Sequence, residues 1–346
     1  MNEEQRKILE MLADGKITAE EADRLLSALE GEVPDEVGSA PQETTSGTAE
    51  PGTSADSAPA RESSLLERIL AMVGAGARYE ETLDQELDAS GVSLIDAETG
   101  NGAITYEGVT QDKVTVHVKK VVRAPTDEAA EAFAQQVQVH IEREGDTIRI
   151  RKEHPRPSWG TQVGISYEIH GPKDVAVKLR TSNGKAKVSR VTGAADVVTS
   201  NGKVELLDVS GRVIAHTSNG AIEARLETLQ DRGEFATSNG AIDLTIQRSD
   251  APINATTSNG AIDVTVFQGS APITATTSNG AITVTLPVGF AGQLDAATTN
   301  GRVQADLPVE VVTSGRTHLL GHIGEGGEAL VKLRTANGGI RVHQIQ

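Results

Sequence analysis

Cysteine is absent from this chain of 346 residues, which excludes a disulfide framework and any zinc site with cysteine ligands. Aromatic residues make up only 2% of the sequence, too few for a large globular core built on bulky side chains. The chain is instead rich in Gly, Ala, Thr and Val, and such small side chains suit thin layers that stack regularly.

Long apolar segments are also absent. No run approaches the roughly 18 apolar residues of a membrane-spanning helix, so no transmembrane segment is expected. The first residues, MNEEQRKILE, lack the basic and apolar regions of a signal peptide. We therefore expect a cytoplasmic protein, with envelope association or export by a non-classical route as alternatives.

Positive charge is scarce, and the formal net charge is −17 at pH 7. General nucleic-acid binding requires a basic face for the phosphates, so this charge argues against a nucleic-acid partner. The same charge would repel an anionic lipid surface unless a local basic patch overrode it.

Residues 1–31 have the pattern of a helical hairpin. Ile8 and Leu12 belong to an apolar stripe, Gly15 ends the first helix, and Thr18 with Glu21 forms a capping box for the second. The stretch ILEMLADGKITAEEADRLLSAL resembles the SHOCT-like helical module of bacterial proteins. The resemblance implies self-association or docking to a protein partner, and a solubilising cap is the alternative.

The next two segments connect this hairpin to the rest of the chain. Residues 32–62 are rich in Pro, Ser, Thr, Gly and acidic residues, which predicts a disordered linker. Residues 63–91 are interpreted as a capping helix, around residues 64–73, followed by a lead-in to the repeats.

A repeated corner, Thr-Ser-Asn-Gly, organises residues 92–346. Apolar residues alternate with polar ones on both sides of each corner, which is typical of two short strands with one buried face. An antiparallel meander would present equivalent corners at alternate ends, whereas every repeat here has the same flanks. The pattern therefore predicts a mainly β protein, a right-handed parallel β-solenoid. The repeated asparagines, expected to form a structural ladder, are Asn183, Asn201, Asn219, Asn239, Asn259, Asn279 and Asn300.

Two details accompany this prediction. The corner glycines are expected to adopt left-handed backbone conformations. An excursion at about residues 109–170 interrupts the repeats and should contain a helix over residues 126–142. The sequence Thr313-Ser314-Gly315 resembles a corner without its asparagine.

The repeat closely resembles the bacterial putative-adhesin β-repeat family, whose coils carry the same TSNG corner. Together with the N-terminal module, the chain is similar to Lia-type envelope-stress proteins of Gram-positive bacteria. The resemblance implies action at the cell envelope without catalysis.

One outward position in each repeat, four residues after the asparagine, carries a row of acids. Stacked carboxylates about 4.8 Å apart repel each other unless a cation or a partner lies between them. The row is interpreted as a solvated acidic strip, with Ca²⁺ or a partner face as the alternative. Its members are Glu205, Glu223, Asp243 and Asp263.

Trp159 lies in the loop HPRPSWGTQ with Arg156 close by. Tryptophan is mostly buried, so packing is one interpretation, and stacking against a sugar or a partner chain is the other. The histidines show no metal-ligand spacing, since His318 and His322 fall in a Gly-rich segment. No catalytic constellation, metal site or cofactor is predicted.

These observations predict a non-enzymatic, adhesin-like scaffold or binding protein linked to the cell envelope or its stress response. The alternative is a β-helix that binds or cleaves polysaccharide through its acidic ladder. An envelope polymer is therefore a second partner class to be tested.

Overall fold

A computed structural model describes residues 77–345 of the chain. The chain divides into two units, one of residues 1–77 with 124–127 and one of residues 78–123 with 128–346. Most of the first unit, including the predicted hairpin at 1–31, the linker at 32–62 and the helix at 64–73, lies outside the described residues. The description below concerns the second unit.

The chain forms strands throughout the described range. The N-terminal strands are β1 (Ala77–Asp88), β2 (Leu94–Glu98), β3 (Ile104–Val109), β4 (Lys113–Ala124), β5 (Gln138–Glu144), β6 (Thr147–Glu153) and β7 (Gln162–Pro172), with helix α1 (Asp127–Ala134) before β5. The central strands are β8 (Ala176–Arg180), β9 (Ala186–Val191), β10 (Ala195–Val198), β11 (Val204–His216), β12 (Ile222–Ala236), β13 (Ile242–Ser249), β14 (Ile253–Thr256), β15 (Ile262–Gln268), β16 (Ile273–Asn279) and β17 (Ile282–Leu286). The C-terminal strands are β18 (Gly292–Thr298), β19 (Val303–Asp306), β20 (Glu310–Ser314), β21 (His318–Ile323), β22 (Ala329–Asn337) and β23 (Ile340–Gln344).

Each repeat contributes one strand before its corner and one after it, and equivalent strands pair in parallel. After the corner, Ile222, Ile242, Ile262 and Ile282 lie in register and are fully buried. Alternate residues on each strand point inward, for example in β17, where Ile282, Val284 and Leu286 are buried. The predicted mainly β, parallel architecture is confirmed, while the right-handed sense stays a prediction.

The corner asparagines are joined by side-chain hydrogen bonds along the stack. From Asn183 onward, each Nδ2 donates to the Oδ1 of the asparagine in the adjacent coil, at 2.7–2.8 Å, whereas the Nδ2 of Asn101 donates to the Val163 carbonyl at 3.2 Å. The chain of bonds runs through Asn101, Asn183, Asn201, Asn219, Asn239, Asn259, Asn279, Asn337 and Asn300. Since the side chains are solvent-exposed, the ladder lies on the surface of the stack.

The corner threonines are buried, and their side chains form hydrogen bonds with the backbone. Their hydroxyls donate to the carbonyl oxygen of the corner glycine in the adjacent coil, at 2.8–3.1 Å. These hydroxyls satisfy partly buried carbonyl groups at the bend, where the strand ladder is interrupted.

Close approach of the backbones of adjacent coils explains why glycine occupies this corner position. A Cβ placed on Gly184 or on any later corner glycine would lie 1.9–2.0 Å from the carbonyl oxygen of the glycine in the adjacent coil. The expected left-handed conformation is wrong, because none of these glycines from Gly184 to Gly338 has a positive φ. The requirement for glycine is therefore steric contact between coils.

The order of coils along the stack departs from the order in the chain at its C-terminal end. Strand β22 pairs with β16 on one side and with β18 on the other. Strand β23 likewise lies between β17 and β19. The last coil of the chain is thus inserted between two coils that precede it, and Asn337 takes the place between Asn279 and Asn300.

The N-terminal end has the same kind of exchange. Strands β6 and β7 pair in parallel with β2 and β3, which in turn pair with β8 and β9. Strands β6 and β7, which the sequence placed in the excursion, therefore form a coil of the stack. Strands β4 and β5 add to it in antiparallel pairing with β7 and β6.

Two local predictions are wrong. Helix α1 ends at Ala134, and residues of the expected second half, Gln138–Glu144, form β5 because Val137, Val139 and Ile141 recur with period two. Thr313-Ser314-Gly315 is no corner, since β20 and β21 form an antiparallel hairpin around it. Among the described residues, no helix is long and apolar enough to cross a membrane.

Candidate functional site

The acidic row occupies one outward column of the strands that follow the corner. Glu205, Glu223, Asp243 and Asp263 lie in register on four successive coils. Lys187 precedes them in the same column, and Thr283 and then Arg341 follow. Arg341 belongs to the inserted coil, so its place in this column follows from the exchanged order of coils.

Lysines neutralise the first half of the row. Lys185 forms an ion pair with Glu205, and the Lys187 Nζ lies 3.5 Å from a carboxylate oxygen of Glu205. The Lys203 Nζ lies 2.6 Å from a carboxylate oxygen of Glu223. The hydrogen bond from Lys185, ahead of the charges of the other lysines, lowers the pKa of Glu205.

The second half of the row has no such neutralisation. Within the described residues, neither Asp243 nor Asp263 has a cationic partner within ion-pair distance. Partial burial raises the pKa of Asp243, and the charges of Asp263 and Glu223 raise it further, against an opposing effect of Arg225. The folded protein therefore holds two like charges side by side.

The row offers no ligand set for a cation. In the part of the chain that the structure describes, no group of three or more His, Asp or Glu side chains is placed to hold a metal ion. Ca²⁺ needs six to eight oxygen ligands, and two exposed aspartates supply too few. The geometry favours the interpretation as a solvated acidic strip.

Trp159 is exposed. It retains 47% of its surface, so the expected packing role is not observed. A tight turn at residues 158–161 holds it, closed by a hydrogen bond of 3.0 Å from the Thr161 amide to the Ser158 carbonyl. Gly160, with φ of 79°, supplies the left-handed position of that turn. The indole is thus presented on a defined turn.

A cleft of about 630 Å³ adjoins this turn. Pro157, which precedes the turn, and Thr161, its last residue, contribute to the wall of the cleft, and Asn101 marks the end of the asparagine ladder there. Three basic side chains, Arg123, Lys152 and His154, also line it. The cleft therefore has a basic wall and lies beside the turn that carries the exposed Trp159, which is not itself a lining residue.

Sequence reasoning named Trp159 but missed the three basic residues. Arg123 is the penultimate residue of β4, whereas Lys152 lies in β6 and His154 directly follows β6. Antiparallel pairing of β4 with β7 and parallel pairing of β6 with β2 bring them to one cleft. The only local signal was the basic character of RKEHPRP next to the tryptophan.

Comparison with known families gives two matches. Residues 3–32 match the SHOCT-like domain, which confirms the resemblance of the N-terminal segment. Residues 211–321 match a domain of unknown function, DUF7330. No curated protein matches the chain at a significant level.

Solved structures with partial similarity come from several bacteria. A putative adhesin from Bacteroides fragilis is 13% identical, with a TM-score of 0.37 over 77% of this chain and 97% of that one. One from Parabacteroides merdae is 11% identical, with a TM-score of 0.38 over 79% and 98%. A putative cell adhesion protein from Clostridium sporogenes is 10% identical, with a TM-score of 0.24 over 77% and 100%. The similarity to Lia-type proteins stays a prediction.

Proposed function

We propose that the chain is a non-enzymatic, adhesin-like binding scaffold that acts at the bacterial cell envelope, in line with an envelope-stress role. The observation that supports it is the parallel register of outward-facing side chains on successive coils. Thr245, Thr265 and Thr285, for example, occupy one column on successive coils. A polymer or an assembly with its own repeat can contact equivalent side chains at a spacing of about 4.8 Å.

The N-terminal segment supplies the second part of the proposal. Its match to the SHOCT-like domain supports a role in docking or self-association. Several copies joined in this way would bind a repetitive target with avidity, although each single contact is weak. The Pro- and Ser-rich tract at residues 32–62 would give the stack its reach.

Co-sedimentation with isolated bacterial envelope fragments tests this proposal. We expect the full-length protein to sediment with the fragments, and a chain lacking residues 1–31 to bind at least about tenfold more weakly because avidity is lost. Equal binding of both chains would place all binding on the β stack and contradict the avidity mechanism. Binding of neither chain would overturn the envelope assignment.

A polysaccharide-binding or polysaccharide-cleaving module is the second candidate, and the exposure of Trp159 favours its binding form. Incubation with a panel of acidic polysaccharides separates binding from cleavage. Newly formed reducing or unsaturated ends would demonstrate an enzyme, whereas retention without new ends would support binding alone.

A further inference from the structure

We propose that the cleft lined by Arg123, Lys152 and His154 binds an anionic saccharide unit, with its acidic group on the basic wall and its ring against Trp159. This inference names a ligand class for the proposed binding scaffold and rests on that function.

The charge of the cleft is opposite to that of the chain. The net charge of the whole protein is −17, yet the residues lining this cleft include three basic side chains and no carboxylate. Arg123 makes no side-chain hydrogen bond or ion pair within the described residues, and its side chain is exposed. A free guanidinium of this kind can hold a carboxylate through two parallel hydrogen bonds.

Lys152 is partly withdrawn from water already. Its burial lowers the pKa of the ammonium group, against an opposing effect of Glu98. Glu98 also interacts with Arg151, whose Nε lies 3.9 Å from a carboxylate oxygen of Glu98. A partly desolvated ammonium gains more from a bound anion than an exposed one does, because less water has to be removed.

His154 orients the lysine. Its Nδ1 lies 2.8 Å from the Pro155 carbonyl, which can only accept a hydrogen bond. The Nδ1 atom therefore carries the proton, and Nε2 accepts a hydrogen bond of 3.2 Å from Lys152 Nζ. The lysine keeps further donors for a ligand, so the pair presents a fixed positive group to the cleft.

The tryptophan turn provides a surface for a ring. Trp159 is held by the turn at residues 158–161, and residues on both sides of that turn line the cleft. An exposed indole offers a large apolar face at a low cost in conformational entropy. A sugar ring fits such a face together with an adjacent acidic group, and the cleft volume falls within the range of small-molecule sites.

Trp159 is the single tryptophan of the chain, so its fluorescence reports on the turn beside this cleft. The full-length protein is titrated with oligogalacturonate, with sulfated dextran oligomers and with neutral dextran oligomers. We expect saturable quenching or a spectral shift with one or both anionic series and none with the neutral series. The two anionic series distinguish a carboxylate from a sulfate ligand.

Matched variants locate the effect. Arg123→Gln and Lys152→Gln should each weaken binding about tenfold, whereas Arg316→Gln, an equal change of charge at an exposed arginine without an ion pair, should leave it unchanged. Trp159→Ala is measured by calorimetry and should also bind about tenfold more weakly.

Three results would overturn the inference. They are the absence of saturable binding to either anionic series, equal weakening by Arg316→Gln, and saturation by a single-stranded oligonucleotide but by no glycan. The envelope test with the chain lacking residues 1–31 is independent of these variants, so failure of the cleft and failure of the scaffold are distinguishable.

Discussion

At the scale of single residues, contact between neighbouring coils decides which side chains the corner accepts. The glycine carbonyl of one coil occupies the space that a Cβ would need in the next coil. The threonine hydroxyl binds that same carbonyl, and the asparagine amide binds its counterpart on the surface. Each corner residue is therefore constrained by a contact with the adjacent coil.

Gly240→Ala tests the close approach of the backbones. The added Cβ would lie 1.9 Å from the Gly220 carbonyl oxygen, which is backbone and cannot rotate away. We expect a loss of about 3 kcal/mol in the free energy of unfolding, measured by denaturant titration. The control is Gly315→Ala, where a Cβ meets nothing within 4 Å. Equal stability of the two variants would contradict the steric account.

Asn239→Asp tests the polarity of the ladder. The new carboxylate would still accept from the Asn259 amide but would face the Asn219 Oδ1, another acceptor. We expect the variant to be less stable than Asn239→Ala by about 1 kcal/mol at neutral pH. Because the charged form is disfavoured, the pKa of the new carboxyl is raised in the folded state.

The pH dependence of the same variant follows from that shift. As the pH falls through the folded-state pKa, the protonated carboxyl can donate to Asn219, and the difference from Asn239→Ala should disappear. Thermal melts of both variants over a range of pH measure it. A constant difference at every pH would argue against a directional ladder.

Asp243→Asn tests the unneutralised half of the acidic row. The raised pKa of Asp243 means that the folded state disfavours its charged form, a penalty fully present above the folded-state pKa and lost below the unfolded-state pKa. We expect the variant to be more stable at pH 7 by up to about 1 kcal/mol, and the gain to vanish in acid.

Glu227→Gln is the control for Asp243→Asn, because it makes the same change of net charge at an exposed residue without an ion pair. The melts are repeated with calcium. An increase in the melting temperature of the unmodified protein with calcium, together with its loss in Asp243→Asn, would restore the cation hypothesis.

At the scale of elements, an aspartate and an arginine join the coils at each place where the order of coils is exchanged. Arg151 donates to the Asp96 carbonyl and carboxylate, at 2.7 and 2.6 Å. Arg334 makes the same pair of bonds to Asp295, with 2.7 Å to the carbonyl. These partly buried pairs join β2 to β6 and β18 to β22, strands that pair in parallel at the two ends of the stack where the order of coils is exchanged.

Deletion of residues 329–346 tests the insertion of the last coil. The deletion removes β22 and β23 from between two coils, so β18 and β19 lose their parallel partners. We expect residues 292–323 to become sensitive to limited proteolysis, with a resistant fragment that ends near Leu286. Truncation of residues 1–31 serves as the matched control. Continued protection of residues 292–323 would contradict the exchanged order.

At the scale of the whole molecule, stability in a stack is the sum of coils and their contacts with immediate neighbours. The predicted linker separates residues 1–31 from these contacts. Removing residues 1–31 should therefore change the melting temperature by less than about 1 °C, measured by differential scanning calorimetry. A decrease of several degrees would show that this segment stabilises the stack.

The sequence alone specified the layers of each coil. Period-two alternation placed Ile222, Ile242 and Ile262 on one inner column, and the repeated flanks favoured parallel over antiparallel pairing. Both features are local, because the alternation and the corner both fall within a stretch of about 20 residues. The acidic row was found for the same reason, since equal distances from the asparagine give equal places in register.

The tertiary structure alone decided which coil lies beside which. The corners at Asn279, Asn300 and Asn337 have nearly the same chemistry, so the local sequence does not fix their order along the stack, and the antiparallel β21 covers the end that β18 would otherwise expose. The tertiary structure also leaves Trp159 exposed. It brings Arg123 close to Lys152 and His154, which lie in distant segments of the chain. The sequence of a repeat determines which side chains of its own coil point inward. Which coils become neighbours, when they are far apart in the sequence, depends on packing that no local pattern encodes.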